Sequence, residues 1–193
     1  MIKSKIPILL IILIILLLVP FFYNLCINHE GEMKIKDVLV TNDKMNVLVY
    51  ARVSHFNSDI ENAILAGVPT TFSFKIEFYQ NEELWFDKRL TQVEVKKNIK
   101  YDRIRETFYL NSNFQKAPEV FQKFEVARSA IAEINGIPVM SVKNLKKDRK
   151  YYARIKLEWE NYRLPFYASF IRIFLSLRDF ETDWYHQPFQ LQK

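Results

Sequence analysis

Cysteine is nearly absent from the chain: Cys26 is the only one, so no intramolecular disulfide can staple the fold. Glycine is almost as scarce, with three in 193 residues, which leaves no room for a flexible Gly-rich linker or a low-complexity tract. No Cys pair, no His-Glu-x-x-His run and no Gly-rich phosphate loop occurs, which removes the familiar zinc and nucleotide signatures. The three histidines, His29, His55 and His186, have no nucleophile or acid beside them in a known local motif. Each reads as an ordinary histidine, so catalytic residues, cofactors and small-molecule ligands are not expected. The charge is only mildly basic, +6 from 28 Lys and Arg against 22 Asp and Glu, without the dense cationic clusters that neutralise a nucleic-acid backbone. Nucleic acid is not expected as a partner, whereas an anionic lipid surface suits this surplus.

Apolar residues make up 49% of the chain and aromatics 15%, with 16 Phe and 10 Tyr, enough to build a substantial core. Ile6 to Tyr23 is apolar apart from one phenol and follows Met-Ile-Lys-Ser-Lys. At about 1.5 Å per residue such a helix nearly crosses a hydrocarbon layer of about 30 Å. Pro7 falls in its first turn, Pro20 kinks or ends it, and Phe21, Phe22 and Tyr23 read as an interfacial aromatic belt. A cleaved signal peptide needs small residues before the cut, and between Tyr23 and Glu32 only Gly31 is small; a lipoprotein signal needs a small residue where Leu25 stands. An uncleaved signal anchor over residues 1–28 is therefore expected. Lys3 and Lys5 keep the N-terminus cytoplasmic, and residues 29–193 form one exported domain.

That domain reads as strands with inserted helices. Thr71 to Tyr79 alternates Phe72, Phe74, Ile76 and Phe78 with Ser73, Lys75, Glu77 and Tyr79, and Tyr151 to Trp159 repeats the pattern. Met45 to Val53 is a third strand; Ile35 to Thr41, Leu90 to Lys97, Tyr101 to Leu110 and Ile137 to Val142 are less regular candidates. Gln80-Asn81-Glu82-Glu83 is a reversal. Ser58-Asp59-Ile60-Glu61 is a capping box opening a helix that Gly67 stops, with Pro69 beyond. Val120, Phe124, Ala127, Ile131 and Ile134 predict a second helix over Glu119 to Asn135, ended by Gly136. Leu164 to Leu177 is apolar nearly all round; a buried helix and a membrane-surface segment both fit it. The expected fold is mainly β, an antiparallel sandwich of six or seven strands with two or three helices.

Asp179, Glu181, Asp183 and His186 form the most acidic cluster; a hard cation would accept such oxygens, but with no loop glycine an amphipathic strand burying Phe180 and Trp184 is preferred, and no metal is expected. Candidate contact residues are Trp85, Phe86 and Asp87 after the turn, and Asp179, Asp183, Trp184 and Tyr185 near the end, because aromatics dominate interaction hot spots. Burial in the core is the plainer reading of these aromatics. Lys143, Lys146, Lys147, Arg149 and Lys150, broken by Asp148, read as a solvated loop, with lipid headgroups as the sharper alternative.

Ala66-Gly67-Val68-Pro69-Thr70-Thr71-Phe72 leading into an alternating strand, then Trp85-Phe86-Asp87 and Tyr101-Asp102, form an ordered series. Ala127 and Ala130 on a helix and the ending Leu177 to Tyr185 complete it. In these the chain resembles DUF4390, a family of membrane-anchored bacterial envelope proteins, although Arg178 stands where an aromatic is usual. The resemblance implies an exported protein with envelope signalling as a setting, and brings no activity or catalytic residue with it. The expectation is a non-enzymatic, periplasmic binding or scaffold module on the bacterial inner membrane, acting through protein contacts. An envelope hydrolase and a lipid-contacting module are the alternatives.

Overall fold

The computed structural model describes residues 33–161, apart from His55 and Asn57, and residues 181–191. The expected anchor over residues 1–28 and the stretch from Leu164 to Leu177 lie outside the described residues. Among the described residues, no helix is long and apolar enough to cross a membrane.

The elements in order are β1 (Ile35–Asn42), β2 (Asn46–Val53), α1 (Ser58–Leu65), β3 (Thr70–Gln80), β4 (Lys88–Asp102), β5 (Thr107–Ser112) and β6 (Glu119–Phe121). They continue with α2 (Phe124–Ala132), β7 (Glu133–Ser141), a 3-10 turn at Val142–Asn144, β8 (Tyr151–Asn161) and β9 (Tyr185–Phe189). The strands form two antiparallel sheets, one in the order β1-β2-β7 and one in the order β6-β5-β4-β3-β8-β9. Strict alternation explains the larger one: Phe72, Phe74, Ile76 and Phe78 of β3 stand opposite Trp159, Leu157, Ile155 and Ala153 of β8, and all eight are buried. Val47, Val49, Ala51 and Val53 of β2 turn the smaller sheet toward the same cluster, which both sheets and both helices share. Residues Met33–Lys193 form one compact unit that contains this entire core, so the unit carries what it needs to fold without the residues before it.

Helix α1 ends as its sequence predicts. Gly67 takes φ +84, its N–H donates to the Ile64 carbonyl at 2.9 Å, and that of Val68 donates to Ala63 at 3.0 Å, a Schellman closure. The second helix is shorter than expected. Glu119–Phe121 pairs with β5 instead, and the backbone turns extended at Glu133 to begin β7. Gly136 is therefore a bulge residue and not a helix stop. Between the pairs Ala51 with Ile134 and Val49 with Ile137, β7 spends one residue more than β2, and Gly136 at φ +65 absorbs it. Its missing Cβ leaves room for Tyr50, whose hydroxyl would otherwise sit 3.2 Å away.

The strand count also rises, to nine among the described residues: β6 was not anticipated, and β9 takes up only the end of the strand expected over Asp179 to His186 and runs on to Phe189. The stretch Tyr101 to Leu110 proves to be a hairpin turn rather than one strand: β4 runs on to Asp102, whose carboxylate accepts the N–H groups of Ile104 and Arg105 and reverses the chain. Three connections meet at one end of the unit. The Val142 N–H donates to Met45 in the β1–β2 turn at 2.8 Å, and Asn81 after β3 donates to Lys150 before β8 at 2.9 Å. The chain enters β1 at the other end, where Ile35 pairs with Val53 while Asn42 pairs with Val47.

Candidate functional site

The outward residues of β3 and β8 form a charged and aromatic row centred on Glu77. This carboxylate is only 5% exposed and stands directly across from Arg154. Arg154 donates to its Oε2 from Nε at 3.1 Å and from Nη2, Tyr79 donates to the same oxygen at 3.0 Å, and Arg89 donates to Oε1 at 2.9 Å. Burial alone would raise the Glu77 pKa, but the hydrogen bonds from Arg154, Tyr79 and Arg89 outweigh it and hold the carboxyl below its usual range. The Tyr79 and Tyr152 rings stack at 5.2 Å, and Arg154 lies over Tyr79 on one side and Trp184 on the other. Further along, Lys156 pairs with Glu158 and Glu181, and Lys75 pairs with Glu158. Acids and bases are matched throughout this row, so its chemistry is that of a brace.

Tyr152 connects the brace to the β3–β4 loop. Its hydroxyl donates to Asp87 Oδ2 at 2.8 Å, while Asp87 Oδ1 accepts the Glu82 N–H at 3.0 Å across the loop base. Burial, followed by the bond to Asp87, pushes the Tyr152 phenol up to about 12. The base of the loop is thus pinned, and its tip is bare: Leu84, Trp85 and Phe86 are 89%, 83% and 97% exposed. Three consecutive large apolar side chains in water are an arrangement that folded surfaces avoid outside contact sites. The basic loop is joined to the base of this loop by the Asn81–Lys150 bond and by Arg149, 3.4 Å from Glu82. A cavity of about 670 Å³ opens between that loop and the end of β9, lined by Val142, Phe189 and Leu191 and by Lys147, Arg149 and Lys150.

The candidate residues divide between these two features. Trp85 and Phe86 lie at the loop tip, which corrects their reading as core: the turn places them beyond the last paired residues of β3 and β4, where nothing described packs over them. Asp87 sits at the loop base. Trp184 is half-buried over Arg154 and Lys156, at 4.4 and 5.2 Å, so it covers the brace and does not enter the core. Asp183 and Tyr185 are exposed, and Asp179 lies outside the described residues. The amphipathic strand expected over the acidic cluster is also corrected. Residues 182–184 lie outside the strands, because Thr182 turns inward to accept the Leu157 N–H at 2.9 Å and breaks the alternation. Among the described residues no three His, Cys, Asp or Glu are placed to hold a metal ion. His29 and His55 lie outside the described residues; His186 is exposed, with its ring 6.0 Å from that of Tyr152.

Sequence reasoning missed Glu77, Arg154, Tyr152 and Arg89 as a unit. The available signal was opposite charge on the polar faces of two alternating strands, and it needs the register to become a contact. No curated protein and no solved structure matches the chain. A family model described as "Domain of unknown function (DUF4390)" matches residues 30–188, from before β1 into β9, and the chain belongs to that family.

Proposed function

We propose that this protein is a non-enzymatic binding module of the bacterial envelope, a sandwich-like domain held to the periplasmic face of the inner membrane by its N-terminal apolar run. It engages its partner through the Leu84–Phe86 loop. The observation that carries this reading is an apolar tip, fully exposed, on a loop whose base is fixed by Asp87 and Tyr152. A pinned loop loses little conformational freedom on binding, so most of the burial energy remains available for affinity. Covering each tip side chain is worth roughly 1.5–3 kcal/mol before association costs. The matched acids and bases of the adjoining row support a structural role for it and leave the tip as the contact element.

The test is a photoreactive side chain at position 85 of the full chain in native membranes, compared with the same group at position 104. Ile104 is also an exposed apolar residue, 96% accessible, but it stands alone in the β4–β5 turn. Adducts from position 85, to lipid or to a discrete protein, and none from position 104 are expected. Identical diffuse labelling at both positions would sink the reading.

A further inference from the structure

We propose that the partner of this loop is an anionic lipid bilayer: Leu84, Trp85 and Phe86 enter the interfacial layer while the loop from Lys143 to Lys150 binds the headgroups. The assignment rests on the reading of the tip as the contact element, and three observations separate a lipid surface from a protein.

The first is charge. Lys143, Lys146, Lys147, Arg149 and Lys150 are all exposed; with Arg149 paired to Glu82, four lysines stand against Asp148, Glu83 and Asp87, and the backbone bond from Asn81 to Lys150 joins the basic loop to the base of the loop that carries the tip. An anionic bilayer offers a plane of negative charge and an apolar layer immediately beneath it, which is the order in which this end of the molecule presents its groups. The second is the tip itself. Trp and Phe favour the boundary between headgroup and acyl chain, and Met45, exposed in the neighbouring β1–β2 turn, adds a further apolar side chain at the same end. A protruding wedge of this kind needs a deep groove in a protein partner but only displaceable lipid in a membrane. The third is the cavity, with Val142, Phe189 and Leu191 as apolar lining and Lys147, Arg149 and Lys150 outnumbering the one acid, Asp148. Those residues suit an anionic headgroup at the rim and the start of an acyl chain below it.

The experiment uses residues 33–193, the unit that contains the whole core, mixed with vesicles of phosphatidylcholine alone or with phosphatidylglycerol added, and measures flotation and Trp emission. Binding to the phosphatidylglycerol vesicles is expected, with a Trp85 emission shift to shorter wavelength and quenching by brominated acyl chains, both lost in Trp85→Phe. A Lys146→Gln/Lys147→Gln/Lys150→Gln variant should bind about 100-fold more weakly, at roughly fivefold per cation near the surface. A Leu84→Ser/Trp85→Ser/Phe86→Ser variant should lose at least about 30-fold while melting at an unchanged temperature, because among the described residues nothing packs on these side chains. Failure of the parent unit to prefer phosphatidylglycerol vesicles, or undiminished binding by the tip variant, overturns the assignment. Protein adducts from position 85 together with no vesicle binding would replace lipid by protein and leave the binding module standing. Neither adducts nor vesicle binding would remove both.

Discussion

Replacing Glu77 with Gln tests whether the outward row is the brace that holds the β3–β4 loop. The substitution keeps the volume and one oxygen acceptor, so the Tyr79 bond at 3.0 Å can persist, while the charge facing two guanidinium groups is removed. Arg154 is half-buried and contributes two of the donors, and hydrogen bonds to charged groups are worth about 1.5–3 kcal/mol each in net terms. Arg89 is more than half exposed, and solvent screening reduces its share to about 0.5 kcal/mol. The amide oxygen of the variant still accepts one Arg154 hydrogen, so one charge-assisted bond of about 1.5–3 kcal/mol and the Arg89 share are lost, about 2–3.5 kcal/mol in all, or a fall of about 4–14 °C in melting temperature for a unit of this size. Urea denaturation of residues 33–193 followed by circular dichroism measures it. The pH dependence gives a second signature. Because the folded carboxyl titrates below its unfolded value of about 4.5, its contribution is complete above that pH and lost as pH falls through the folded pKa. Glu77→Gln should therefore flatten the acid limb of the stability profile below pH about 4.5. A loss under about 0.5 kcal/mol with an unchanged acid limb would refute the reasoning, since it would mean that water replaces the carboxylate at no cost.

Two further expectations concern single side chains. Lys97 of β4 donates to the carbonyls of Ala130, at 2.6 Å, and Glu133, where α2 ends, and burial pulls its pKa down from 10.5 to about 8 against the raising influence of Glu119 and Glu133. Between pH 7.5 and 9.5 the unfolded chain holds this proton more firmly than the folded one, so stability should rise by roughly 1.5–2 kcal/mol, and Lys97→Met should abolish the rise in urea titrations at the two pH values. Tyr152→Phe removes the hydroxyl that anchors Asp87, and should cost about 1 kcal/mol while speeding amide exchange at Glu82, whose N–H depends on that carboxylate. Unchanged exchange at Glu82 would show that Asp87 holds the loop without help from β8.

Local pattern made much of the fold legible. Period-two alternation in β3 and β8 names the residues that face the core, and a capping box with a following glycine bounds α1 within a residue or two, because these signals depend on chain neighbours alone. The second helix failed for the same reason in reverse. Its apolar spacing continues past Ala132, yet Ile134, Ile137 and Val139 bury equally well from an extended chain, and pairing with β2 decides between the two states. Short edge strands such as β6 and β9 carry too few residues for any period to appear and exist only because a partner strand is in reach.

The sequence by itself determined a β-rich chain rich in aromatics, without disulfides or familiar metal and nucleotide motifs, belonging to a family that its ordered short motifs already suggested. Only the tertiary structure decided which of those aromatics are buried. Phe78 and Phe86 are the same residue type eight positions apart, one inside the sheet and one in water, and composition cannot separate them. The difference arises because strand pairing ends at Gln80 with Lys88, leaving seven residues that no described strand covers. The same pairing sets Glu77 against Arg154 and Lys150 against Asn81, bringing brace, tip and basic loop together through contacts between residues about 70 positions apart.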